Sequence, residues 1–256
     1  MTRKRGVGEL ILTIVGMCFW VFAVVIATQL IVGYSMLALL GKTQFNSPLW
    51  TSIYSALVYV VALFVTIFVP LLIKNKRKKK EKVKTPAELR GELGLEGLPT
   101  WTDIGLGPVG FIVSLILAGI LVFIFSKFPW FNANQTQELG YSMLAPGFDR
   151  ILAFLTLVVI APIAEEIIFR GWLYGKLREK LNGRLSEMWG IILSAFITSL
   201  LFGLVHLQWN VGVNVFALSI VLCAMREITG TIYAGMLTHM LKNGLAFYLI
   251  YVIGVV

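Results

Sequence analysis

The chain has 256 residues, of which 58% are apolar and only 14% are charged, and its mean hydropathy is +0.85. A soluble domain of this size needs a larger polar fraction to cover its surface. The net charge of +9 does not indicate a nucleic-acid-binding protein, because most of the excess lies in one block, Lys74–Lys84, between two apolar stretches. These properties exclude an ordinary soluble enzyme and favour a protein embedded in a lipid bilayer.

The apolar residues occur in runs that are long enough to cross a membrane as helices. We predict an all-α polytopic bundle of about seven spans, at about 7–40, 50–73, 109–125, 148–169, 188–207, 211–225 and 229–255. The fourth helix is expected to continue past its apolar part to the turn signal Asn182-Gly183. The sixth span is short for a crossing of about 20 residues. We therefore expect it to be tilted, or its preceding link 208–212 to dip into the protein.

The basic residues predict the orientation of the chain in the membrane. Residues 3–5 and Lys74–Lys84 flank the first two spans, and basic flanks stay on the cytoplasmic side, so we expect a cytoplasmic N-terminus. The predicted organisation is a two-span hairpin (1–73), a basic cytoplasmic loop (74–105) and a core (106–256). The segment 127–147 is expected to be external and contains a glycosylation sequon, by pattern only, at 134–136.

Three charged residues in the fourth span need an explanation, because a charged side chain in the bilayer costs roughly 2.5–3.5 kcal/mol by insertion scales. Glu165 and Glu166 are adjacent, and Arg170 follows. Glu166 and Arg170 are at positions i and i+4, in the favourable order for an ion pair. Glu165 is rotated by about 100° and has no such partner. We interpret Glu166 as a structural anion and Glu165 as free to accept a proton; alternatively, both mark the cytoplasmic end of a helix.

Both histidines of the chain also lie in apolar surroundings, where a single histidine is often only a packing residue. His206 closes the fifth span, and His239 lies in the seventh with Asn243 on the same helix face, at i and i+4. Glu165 and His206 are at similar distances from the Asn182-Gly183 turn, so antiparallel helices place them at similar depth. The spacing suggests a shallower position for His239, and we expect the short sixth span and a submerged link 208–212 to absorb this mismatch.

Together these segments resemble the three motifs of a known family. The motifs are Glu165-Glu166-Ile167-Ile168-Phe169-Arg170, Phe202-x-x-x-His206 and His239-x-x-x-Asn243. Their order and spacing resemble the CAAX protease and bacteriocin-processing family, also called the Abi family, which includes the type II CAAX prenyl endopeptidases. The resemblance covers about residues 90–250, including Glu92-Leu93-Gly94-Leu95, and leaves out the first two spans.

The resemblance implies an intramembrane endopeptidase that hydrolyses a peptide bond. Glu165 and His206 would activate the attacking water. His239 and Asn243 would face the scissile carbonyl and stabilise its oxyanion, a kind of interaction whose loss costs about 10²–10³ in rate. The implied partners are the bilayer and a membrane-associated protein or peptide, either a CAAX-type prenyl protein or a bacterial leader peptide.

The resemblance also implies that Glu166 and Arg170 hold the geometry of the site. Metal dependence stays open at this point, because two histidines and two glutamates can bind zinc in a tetrahedral site. The candidate ligands are Glu165, His206 and His239. We favour water activated by glutamate without a metal, since adjacent glutamates diverge on a helix and the family is described as glutamate-dependent.

Two other classes of function remain as alternatives. A proton-coupled transporter also uses intramembrane Glu, His and Arg residues, but inverted repeats are not evident in the sequence. A non-catalytic membrane scaffold or bacteriocin self-immunity protein could use the same fold, although every motif position is filled. The short chain and simple loops favour a multi-pass protein of a bacterial cell membrane.

Overall fold

The computed structural model describes residues 6–77, 84–133, 141, 144 and 146–254. Over these residues the chain forms eight helices: α1 (Val7–Phe45), α2 (Pro48–Arg77), α3 (Pro86–Glu92), α4 (Trp101–Phe125), α5 (Phe148–Leu181), α6 (Glu187–Leu204), α7 (Trp209–Thr229) and α8 (Tyr233–Ile253). The predicted sequon at 134–136 and most of the basic block, 78–83, lie outside the described residues.

Seven of these helices, all except α3, are long and apolar enough to cross a membrane. This confirms the predicted all-α polytopic bundle and its number of spans. The basic block begins within the last turn of α2, and Asn182-Gly183 forms the turn between α5 and α6, where Gly183 has a φ of 71°. The orientation of the N-terminus stays a prediction.

Two predicted spans have different bounds in the structure. α4 begins eight positions before 109, because Thr100 and Asp103 form a capping box at Trp101. The prediction of a short sixth span was wrong, since the corresponding helix α7 has 21 residues, from Trp209 to Thr229. Polar residues at its start hid the first turn in the sequence: the Asn214 side chain donates to the Asn210 carbonyl within the helix.

The helices pack into one bundle in which the hairpin of α1 and α2 lies against α5. A buried apolar cluster joins the hairpin to α5, α6 and α7 through Val21, Val24, Ala62, Ile168, Phe169, Leu173, Leu177, Leu201, Phe202, Val211 and Val215. On the other side α4, α7 and α8 pack together, and Thr231 before α8 donates its hydroxyl hydrogen to Asp103 of α4. The cluster places the middle of α5 at the centre of the bundle.

Two glycines allow the segment after α3 to pack into the bundle. A Cβ on Gly171 of α5 would lie only 2.8 Å from the Leu93 carbonyl oxygen, so a larger residue cannot stand there without a shift. Gly94 has a φ of 72°, and its carbonyl accepts a hydrogen bond from the Ile232 amide just before α8. The start of α8 is therefore level with Gly171, and the last ten residues of α5 extend beyond it.

Candidate active site

The middle of α5 departs from regular α-helical geometry around the two glutamates. The segments Leu155–Ile160 and Glu166–Tyr174 are π-helical, and a short α-helical stretch, Ala161–Glu165, separates them. In a π-helix each carbonyl accepts a hydrogen bond from the amide five residues later, which for Leu157 is residue 162. Pro162 has no N–H and cannot donate this bond. The Asn243 side-chain amide of α8 donates to this carbonyl instead, at 3.0 Å. The proline therefore leaves an acceptor that fixes Asn243 against α5.

Glu166 points into the sealed interior of the bundle. Its Oε1 atom accepts from Arg170 Nη1 at 2.9 Å and lies 3.0 Å from His239 Nδ1. The side chains of Glu166 and Arg170 are both 0% exposed, and the Arg170 guanidinium lies 4.4 Å from the centre of the Phe202 ring. The structure contains the ion pair that the sequence predicted, with His239 as a further partner.

Glu165 faces a different side of α5, where it lines a cavity of about 440 Å³ between the hairpin and the core. Its side chain is 13% exposed. Tyr59 of α2 and Lys242 of α8 both interact with the Glu165 carboxylate electrostatically. His239 Nε2 lies 3.6 Å from Glu165 Oε2, so His239 stands between the two carboxylates.

His206 lines the same cavity as Glu165 and follows the C-terminal end of α6. Its Nδ1 atom lies 2.8 Å from the Phe202 carbonyl oxygen. A carbonyl oxygen only accepts hydrogen bonds, so Nδ1 carries a hydrogen. In the neutral ring Nε2 is then unprotonated and can accept a hydrogen from water.

The mismatch in depth that the spacing suggested for His239 is absent, because its ring contacts both glutamates. The expected cause was wrong, since the sixth span is not short. The spacing argument assumed that the neighbouring ends of α5 and α8 are level. They are not, since α5 extends ten residues past the level of Gly171, where α8 begins. His239, six residues after the start of α8, therefore lies at the depth of Glu165.

The comparison with protein families bears on the same part of the chain. Residues 147–245 match the family model described as "Type II CAAX prenyl endopeptidase Rce1-like". This segment, which is less than half of the chain, is similar to the Rce1-like family. No curated protein and no solved structure is significantly similar to the chain. The Rce1-like segment contains all six predicted site residues and supports, at the level of the family, a membrane-embedded protease.

The site residues of the Rce1-like segment do not converge on one point as metal ligands would. The two ring nitrogens of His239 point away from each other, one towards each glutamate, so a single ion cannot be shared by both carboxylates and the ring. Across the described part of the chain, no group of three or more His, Cys, Asp or Glu residues has a metal-binding arrangement. The predicted candidates Glu165, His206 and His239 do not form such a group, and catalysis without a metal stays a prediction.

Sequence reasoning missed two residues that interact with Glu165. Tyr59 lies outside the Rce1-like segment, in an apolar run of α2, and its contact depends on how the hairpin packs against α5. No local pattern indicates such a contact. Lys242 did carry a signal, since a charged residue in an apolar span needs a reason. Lys242 directly precedes Asn243 in the chain, but the sequence analysis assigned it no function.

Proposed function

We propose that the chain is an intramembrane endopeptidase that hydrolyses a peptide bond of a membrane-associated protein or peptide, using water activated by Glu165 and His206. The observation that carries the proposal is the separation of the two glutamates. Glu165 shares an accessible cavity with His206, whereas Glu166 is fully buried and paired with Arg170. One carboxylate is thus available to a water molecule and to a substrate, and the other is not.

In the proposed reaction a water molecule lies between the Glu165 carboxylate and His206 Nε2. Glu165 takes a proton from the water as its oxygen attacks the scissile carbonyl carbon, and the carbonyl oxygen becomes the oxyanion. His206 accepts a hydrogen bond from the water and orients it. When the carbon–nitrogen bond breaks, Glu165 returns the proton to the leaving amine nitrogen, so that a carboxylate product and a free amine form.

The other motif residues have positioning roles in this proposal. Glu166 and Arg170 hold His239, whose Nδ1 atom lies 3.0 Å from Glu166. The Asn243 amide nitrogen uses one hydrogen for the Leu157 carbonyl and retains a second one. This second donor and His239 are the groups that we assign to the oxyanion. The positions of both depend on the π-helical geometry of α5.

The experiment compares cleavage of a panel of prenylated CAAX-type and membrane-tethered leader peptides by purified wild-type protein and the Glu165→Ala variant. Glu179→Ala is the matched control, because Glu179 is also on α5, its side chain is 52% exposed and its partners are lysines. We expect cleavage by the wild type and by the control, and loss of about 10²–10⁴ in rate for Glu165→Ala.

A chelation arm tests the type of catalysis. Cleavage that needs Glu165 and survives removal of metal supports glutamate-activated water. Loss on chelation with recovery on adding zinc would make the enzyme a metalloprotease and overturn the mechanism. Wild-type turnover in Glu165→Ala would show that another residue is the base. If no peptide of either class were cleaved, the non-catalytic scaffold would become the better explanation.

A further inference from the structure

The basic residues are distributed unequally between the two ends of the bundle. Of the 22 Lys and Arg residues, 17 lie in sequence segments that precede α1, run from the end of α2 through α3, or connect α5 to α6, and in the last turn of α7. These are the residues in 1–5, 74–90 and 176–184, and Arg226. The opposite end has three: Lys42, Lys127 and Arg150. Because Lys and Arg near helix ends remain on the cytoplasmic side, the strongly basic end is cytoplasmic.

The cavity that contains Glu165 and His206 extends towards the end with few basic residues. Its wall includes Phe45 and Asn46, at the turn between α1 and α2, and Leu207, in the link between α6 and α7. Both α1 and α6 begin at the basic end and cross the bundle before they reach these residues. The turn and the link therefore lie together on the side opposite the basic segments.

The cytoplasmic end has a separate cavity of about 740 Å³, and none of the predicted site residues lines it. Its wall includes Arg178 and Glu227, which form an ion pair at 2.8 Å. Between the two cavities lies the buried cluster that joins the hairpin to α5, in which Leu173 and Phe202 are fully buried. Packed side chains thus separate Glu165 from the cytoplasmic cavity.

We infer that the active-site cavity receives its substrate from the extracytoplasmic side of the membrane. The inference rests on the proposed function and narrows its substrate class to a peptide segment exposed on that side, next to the bilayer. The described wall contains no Lys, Arg or Asp, and burying an unpaired charge there would be costly, so the bound stretch is uncharged. A prenylated C-terminus in the cytoplasm is on the wrong side for this cavity.

The first test measures the side on which the cavity opens, without reference to activity. In a chain with Cys18→Ala and Cys223→Ala, which removes both native cysteines, Asn46→Cys places a thiol at the cavity mouth. Glu187→Cys places one at the start of α6, at the basic end. Both positions are exposed. Bacterial protoplasts are treated with a membrane-impermeant maleimide before and after permeabilisation.

We expect the thiol at position 46 to be labelled in intact protoplasts and the thiol at position 187 to be labelled only after permeabilisation. The opposite pattern would overturn the inference. A second test supplies a peptide that the purified protein cleaves to right-side-out or inverted membrane vesicles. Cleavage at least tenfold faster in right-side-out vesicles is expected, and faster cleavage in inverted vesicles would overturn the inference. If the purified protein cleaves nothing, the proposed function fails, while the labelling still decides the orientation.

Discussion

The two sides of α5 provide very different surroundings for two chemically identical residues. On one side Glu166 is enclosed with Arg170 and His239, and its side chain has no exposed surface. On the other side Glu165 faces a cavity of about 440 Å³ and meets a tyrosine of the hairpin. In the proposed reaction these surroundings give the neighbouring carboxylates different roles: the sealed side holds the geometry of the site, and the open side admits water and substrate.

Arg170→Ala tests the sealed side and has the largest expected effect on stability. It leaves the Glu166 charge buried without its guanidinium partner, which typically costs about 3–5 kcal/mol. We expect a large fall in the free energy of unfolding, measured by chemical denaturation in detergent. Arg178→Ala is the control: it removes an arginine of the same helix whose ion pair with Glu227 has side chains 22% and 27% exposed. A loss of about 1 kcal/mol or less is expected there. Equal losses in both variants would contradict the difference between the two sides.

Tyr59→Phe tests the open side. It removes the hydroxyl that interacts with Glu165 and keeps the ring, so we expect turnover to fall by roughly tenfold, as for the loss of one polar interaction with a charged group. Peptide cleavage at saturating substrate measures the effect. Tyr54→Phe is the control, because Tyr54 lines the same cavity but its hydroxyl donates to the Gln29 carbonyl. If both variants lost the same activity, the contact with Glu165 would have no special role.

Gly235→Ala has the smallest expected effect and sharpens the description of the sealed side. A Cβ at position 235 would lie 3.1 Å from Glu166 Oε2, so we expect about 1–2 kcal/mol of destabilisation from overpacking. Gly244→Ala on the same helix meets only Val158 at 3.5 Å, an ordinary contact, and is expected to unfold like the wild type or later. Thermal unfolding of both variants measures the difference. A Gly235→Ala protein as stable as Gly244→Ala would show that the interior around Glu166 is loosely packed.

Much of the fold could be predicted from the sequence, because hydrophobic runs depend on local composition. The seven spans and the turn at Asn182-Gly183 are of this kind. The true start of α4 depends on the hydrogen bonds of Thr100 and Asp103, and polar residues concealed the first turn of α7. Helix ends of these kinds are not set by hydrophobicity, so a pattern of apolar residues places them poorly.

The contacts among the candidate site residues could be predicted only where they lie within one helix. The i, i+4 spacing of Glu166 and Arg170 correctly indicated their ion pair. The depth of His239 depended on how far α5 extends beyond the start of α8, and the approach of Tyr59 depended on hairpin packing. Both are tertiary features that join distant parts of the chain. Local spacing along one helix carries no information about them.

The most direct test of the account compares Glu165→Gln with Glu166→Gln, each measured for peptide turnover and for thermal unfolding. Both substitutions remove one negative charge and keep the size of the side chain, and their positions differ by one residue. The account predicts that Glu165→Gln loses about 10²–10⁴ in turnover and unfolds near the wild-type temperature. It predicts that Glu166→Gln unfolds at a clearly lower temperature, because Arg170 is left as an unpaired buried charge. A Glu165→Gln protein with full turnover, or a Glu166→Gln protein with unchanged stability, would contradict the assignment of the two glutamates.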